Sequence, residues 1–295
     1  MAGMVGVDTR WWAVDKVIFG YFGFACVLLV AYGPRTPDAW WLFALHLAAS
    51  VLLWWEVKRP NPTSFAFRHW YPLPYVAACY REMAIIIPAT HPWNADRWLA
   101  DLDFRIWGAH PTVWLERVAS PLLTEVLQVT YSLFVPAVLL VPALLWYRRL
   151  FDKFRYAAFL IALGYLVSYV GYLLVPARGP RFLLQHLQTA PLQGLWLSEP
   201  LRDLLDRLES AHYDCFPSGH TELIVIAWWL SRSLSRQWFQ GYLIYTAGIV
   251  LATIYLRYHY TVDVFAGLLT AASLIALGPS LFHTLSPRGS EFGGH

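Results

Sequence analysis

Two histidines stand in settings suited to phosphoryl transfer. His220 lies in Cys215-Phe216-Pro217-Ser218-Gly219-His220-Thr221-Glu222, and His259 in Arg257-Tyr258-His259-Tyr260-Thr261-Val262-Asp263. A neutral imidazole can attack phosphorus, and a protonated one can donate to the departing alkoxide. The ordinary histidine pKa near 6.5 makes both forms reachable at neutral pH. Asp263 follows His259 by four residues. On a shared helical turn its carboxylate would bond one ring nitrogen and aim the other, as the acid of a Ser-His-Asp triad orients its histidine. This spacing marks His259 as the nucleophile. His220 has no carboxylate at that spacing and takes the acid role.

The other requirement is charge stabilisation on the phosphoryl oxygens. Val175-Pro176-Ala177-Arg178-Gly179-Pro180-Arg181 offers two guanidinium forks, Arg178 and Arg181, whose geometry matches phosphate. Pro217 to His220 reads as a loop-to-helix junction, where unpaired N–H groups and the helix dipole favour an anion. Gly219 would allow close approach there, and Ser218 could add a hydroxyl donor. Glu222 is read as a first-turn acid that suits the dipole, with a proton-relay or headgroup-sensing role as the alternative. Cys215 reads as a loop packing residue, and Cys26 and Cys79 as packing residues in apolar runs. His46, His91, His110, His186 and His212 are read as interfacial or structural. Carboxylates are sparse near the site and no H-x-x-x-H or multi-Asp cluster occurs, so neither a metal nor a cofactor is expected.

These segments need a scaffold that brings them to one place. The 295-residue chain is 58% hydrophobic and only 14% charged, against about 25% charged in soluble domains. Its 16 tryptophans suit the membrane–water boundary. A net charge of +3 without basic runs gives no footprint for nucleic acid. Apolar segments at 17–32, 39–55, 71–90, 121–147, 156–176, 221–234, 241–256 and 260–281 are candidate spans. The expected fold is an all-α integral membrane protein, a multispanning bundle of about 6–8 transmembrane helices. The 71–90 segment holds Arg81 and Glu82, which should face protein or each other. The basic cluster from Arg148 to Arg155 sets the orientation. It predicts a non-cytoplasmic location for the 175–181, 215–222 and 257–263 segments. Two outer segments look amphipathic. In 94–108, Trp98, Leu102 and Ile106 share a face. In 196–212, leucines recur at helical spacing after Ser198, a plausible N-cap. Both read as interfacial connectors and as flanks of a lateral lipid entrance. The expected organisation is N-terminal helices and an amphipathic segment over 1–120, a catalytic helical core over 121–285 and a disordered tail over 286–295.

Pro-Ser-Gly-His followed by His-x-x-x-Asp at the start of a later helix resembles the type 2 phosphatidic acid phosphatase superfamily. The resemblance covers roughly residues 156–281. It implies a helical-bundle core, metal-independent catalysis and a covalent phosphohistidine, with His220 as acid, His259 as nucleophile and Asp263 as orienting carboxylate. The family's lysine in the first segment falls on Gly171, and the Ser-Arg of its third on Ala252-Thr253. Arg181 and Arg257 are the expected substitute cations. The His-Tyr-Thr-Val-Asp form is similar to the branch containing sphingomyelin and inositol phosphorylceramide synthases. The expected activity is a membrane-embedded lipid phosphatase acting on a lipid or isoprenyl phosphate. The alternative is a phosphotransferase using inositol or a lipid hydroxyl as acceptor.

Overall fold

The computed structural model describes residues 10–32, 38–59, 64–208 and 213–286. The 287–295 part of the expected tail and His212 lie outside the described residues. Among the described residues the chain is helical without strands; a single isolated parallel bridge joins Ala177 to Asp214. The helices are α1 (Ala13–Tyr32), α2 (Ala39–Lys58), α3 (Ser64–Trp70), α4 (Pro72–Thr90), α5 (Asp96–Trp107), α6 (Pro111–Trp114), α7 (Pro121–Ser132), α8 (Phe134–Tyr147), α9 (Phe151–Leu174), α10 (Pro180–Leu183), α11 (Ser198–Leu208), α12 (Gly219–Ser231), α13 (Arg236–Tyr255) and α14 (Thr261–Leu285).

Four of them, α1, α2, α9 and α14, are each long and apolar enough to cross a membrane. α7 and α8 make a fifth span if taken together, bent by 46°. Pro136 gives the physical reason for the break: it has no N–H to return to the Ser132 carbonyl. The chain is thus an all-α, multispanning membrane protein. α12 has 13 residues, a rise of about 20 Å, short of the ~30 Å hydrocarbon core. It is apolar and buried on nearly every side, as a helix enclosed by protein should be. α8, α9, α13 and α14 surround it. α9 is the other axis, packing α1, α4 and α8.

Two expectations change, and α5 adds an unexpected buried face. Glu82 is buried, 3.2 Å from the Tyr21 hydroxyl that donates to it and 3.2 Å from His46 Nε2, whereas Arg81 is exposed. The two charges therefore do not share an environment. In α5 the buried face is Asp96, Leu99, Ala100 and Asp103, while Trp98 and Ile106 are exposed. Its carboxylates turn inward because backbone N–H groups await them there. Ser198 does not cap α11: it is the first helical residue. Glu125 of α7 does that work instead, accepting from the N–H groups of Leu195, Trp196, Leu197 and Ser198 at 2.7–3.2 Å.

Candidate active site

The loop before α12 and the start of α14 close on each other. Ser218 is the α12 N-cap, its hydroxyl accepting from Thr221 N–H at 3.3 Å and donating to Thr221 Oγ1 at 3.0 Å. Its own N–H donates to the Asp263 carbonyl at 3.0 Å. Ser218 is fully buried, so its hydroxyl is a structural cap rather than a free donor. Gly219 is packed against α9, which leaves no room for a side chain. A Cβ there would fall 2.3 Å from the Tyr172 hydroxyl.

This closure brings the two histidines together, 3.4 Å apart between His259 Nε2 and His220 Nδ1. His259 Nδ1 lies 2.8 Å from the Cys215 carbonyl. A carbonyl only accepts, so that bond fixes the proton on Nδ1 and leaves the Nε2 lone pair facing His220. Asp263 contributes differently from the spacing argument. α14 begins at Thr261, so His259 precedes the helix and shares no turn with Asp263. The Asp263 Oδ2 is 3.7 Å from His259 Nδ1, within ion-pair reach. It accepts from Tyr260 N–H at 2.8 Å and from the Cys215 thiol at 2.8 Å. The carbonyl holds the ring; the carboxylate supplies charge behind it.

His220 is clamped by aromatic rings. Tyr131 stacks on it at 4.6 Å, and Phe134 lies at 4.4 Å. Tyr131 in turn stacks on Tyr258 at 4.4 Å. Burial, and then the neighbouring His259, push the His220 imidazole down to about 3. Beside His220 a cavity of about 250 Å³ opens between α4, α8, α9 and α11, lined among others by Tyr80, Tyr165, Leu205, Leu208 and Asp214.

The arginines divide. Arg178 is exposed over the Phe182 ring at 4.4 Å. Arg181 is half-buried, 2.8 Å from Asp206 and 5.0 Å above the Tyr258 ring. Its backbone N–H donates to the Arg257 carbonyl at 3.1 Å. Arg257 differs from expectation. Its guanidinium pairs with Glu116 at 2.7 Å and donates to the Ala190 carbonyl and Gln188 Oε1. Burial lowers its pKa and Glu116 partly offsets this. Arg257 straps loops together, because its left-handed backbone, φ 67°, ends α13 and a carboxylate awaits the side chain.

Sequence reasoning missed several residues that build this site. Cys215, read as packing, supplies both the carbonyl on His259 and the thiol on Asp263. Asp96 accepts from the N–H groups of Arg178 and Gly179 at 2.9 and 2.8 Å. Asp103 accepts from Thr261 N–H, Thr261 Oγ1 and Val262 N–H at 2.6–3.0 Å. None has a local motif; a carboxylate reaching backbone across the fold leaves no spacing signal. The donor atoms of Cys215, His259 and Asp263 lie within 4.8 Å of one another, a grouping the sparse carboxylates did not suggest. In this group His259 Nδ1 is already taken by the Cys215 carbonyl, so a metal would have to displace that bond.

One family model matches the chain, that of the PAP2 superfamily, over residues 97–277. The chain belongs to this superfamily. No curated protein and no solved structure matches it. The PAP2 match begins within α5, ends within α14 and contains both histidine segments; α1 to α4 lie before it. PAP2 superfamily members are generally phosphatases or phosphotransferases, so the chain is an enzyme of that broad kind.

Proposed function

We propose that the protein is a lipid phosphate phosphatase working through a phosphohistidine on His259, with no metal in the reaction. The observation that carries this is the His259 ring, tied back through Nδ1 to the Cys215 carbonyl with Nε2 turned to His220. The two nitrogens, 3.4 Å apart, must part to admit a phosphoryl group, which then meets a nucleophile on one side and an acid on the other. The first-turn N–H groups of Gly219 and His220 precede any intrahelical acceptor and can receive its oxygens. Arg181, 5.0 Å above the Tyr258 ring, is the nearer guanidinium and can add charge stabilisation.

In the first step Nε2 forms the P–N bond as the P–O bond to the alcohol breaks. His220 gives its proton to the leaving oxygen. The positive charge on His259 is offset by Asp263. In the second step water attacks phosphorus and loses a proton to His220. The P–N bond breaks, inorganic phosphate leaves and both histidines are restored. The orientation read from the basic cluster puts this chemistry on the non-cytoplasmic face.

The test uses purified protein in detergent and EDTA with phosphatidate and an isoprenyl diphosphate, with and without inositol or diacylglycerol. Free phosphate as the product is expected throughout. Phosphate appearing on inositol or diacylglycerol as a new phosphomonoester, with little free phosphate, would assign an alcohol as acceptor and overturn the phosphatase reading. Activity that appears only with added divalent metal would overturn the metal-free step.

A further inference from the structure

The described lining of the cavity beside His220 is mostly aromatic and apolar, its polar atoms being those of His220, the tyrosine hydroxyls and one carboxylate. Among its described lining residues Asp214 is the one carboxylate. It immediately precedes Cys215, and its backbone is fixed by the bridge to Ala177, with Cys215 N–H donating to the Ala177 carbonyl at 3.1 Å. The Tyr80 hydroxyl donates to Asp214 Oδ2 at 2.6 Å. Tyr80 belongs to α4, which lies outside the residues matched by the PAP2 superfamily. A helix outside the residues matched by the family therefore fixes a carboxylate in the cavity that the acid histidine lines.

That position has a chemical consequence. On the proposed mechanism, which this inference assumes, His220 protonates the leaving oxygen, so the leaving alcohol lies in the cavity His220 lines. A bare carboxylate there would repel the phosphate and pay a desolvation penalty. Burial pushes the Asp214 pKa up, offset in part by the Tyr80 bond and by the nearby His259 and Arg181. A hydrogen-bond donor on the substrate would remove the remaining penalty, and a substrate without one would leave it in place. Donor-bearing ligands include a hydroxyl and an ammonium. An ammonium would gain further from the surrounding rings of Tyr131, Tyr165 and Tyr172, since ring faces attract cations.

We propose that Asp214, held by Tyr80, selects lipid phosphates whose leaving alcohol carries a hydroxyl or ammonium next to the ester oxygen. The experiment compares kcat/KM for three probes in mixed micelles: a 1-acylglycerol 3-phosphate with its free 2-hydroxyl, the 1,2-diacyl counterpart, and a long-chain 2-aminoalkyl phosphate. The wild type is expected to favour the donor-bearing probes by about 10- to 100-fold. Asp214→Ala and Tyr80→Phe are expected to bring the ratio towards one, the first fully and the second in part. Using a ratio cancels losses in the chemistry common to all three. A preference for the hydroxyl probe alone would identify the donor as neutral, and for the amine probe alone as cationic; either supports the selection. A wild-type ratio near one, or a ratio unchanged in Asp214→Ala, would overturn it. The mechanism is read out separately by ³¹P-detected phosphohistidine in wild type quenched in alkali, where the P–N bond survives. Its presence with an unchanged ratio sinks only the Asp214 selection, and its absence with every probe sinks the mechanism beneath it as well.

Discussion

At the scale of single residues, the site rests on which nitrogen of each imidazole carries a proton. The Cys215 carbonyl decides this for His259. For His220 the aromatic clamp matters more: with its pKa pushed down to about 3, it is neutral in the free enzyme at neutral pH. The proton it gives the leaving group must then enter with the substrate. A phosphate monoester has a second pKa of about 6, and its monoanion carries that proton. kcat/KM reports the free enzyme and free substrate, so it is expected to fall as pH rises through the substrate's second pKa. An aryl phosphate with a more acidic monoanion should move this limb to lower pH, measured from kcat/KM profiles of the two substrates. A limb fixed at one pH for both would place the proton on an enzyme group instead.

At the scale of elements, α5 braces the catalytic segments. Asp96 holds the Arg178–Gly179 backbone, and Asp103 holds the first turn of α14. Asp103→Ala is expected to lower kcat by about 10–100-fold through misplacement of His259. Trp98→Ala, on the exposed face of the same helix, should change kcat little. Equal losses in steady-state assays of the two variants would mean that the apolar face is the docked one. The periodicity of Trp98, Leu102 and Ile106 made the apolar face legible, whereas the inward carboxylate face of Asp96 and Asp103 left no periodic signal. The histidine segments were legible because their chemistry is local. Arg257 was not: its charge suited phosphate, while its partner Glu116 lies 141 residues away.

At the scale of the whole molecule, apolar runs foretold the long helices and also the short one, whose apolar run breaks at Ser231-Arg232. α12 read as a span ends at Ser231 after 13 residues, its environment being protein on all sides. The opposite ends of the bundle give a test of orientation. Trp196, before α11, and Tyr147, at the end of α8, are 82% and 83% exposed. In intact cells or sealed vesicles of known sidedness, Trp196→Cys is expected to react with a membrane-impermeant maleimide from the non-cytoplasmic side and Tyr147→Cys only after permeabilisation. The reverse pattern would move the active site to the cytoplasmic face.

The central claim is the covalent bond to His259. Wild-type enzyme incubated with ³²P-labelled lipid phosphate and quenched in alkali is expected to carry label on one peptide, the one containing His259, and His259→Ala is expected to carry none. Label that persists in His259→Ala, or that maps to the peptide containing His220, would contradict the account.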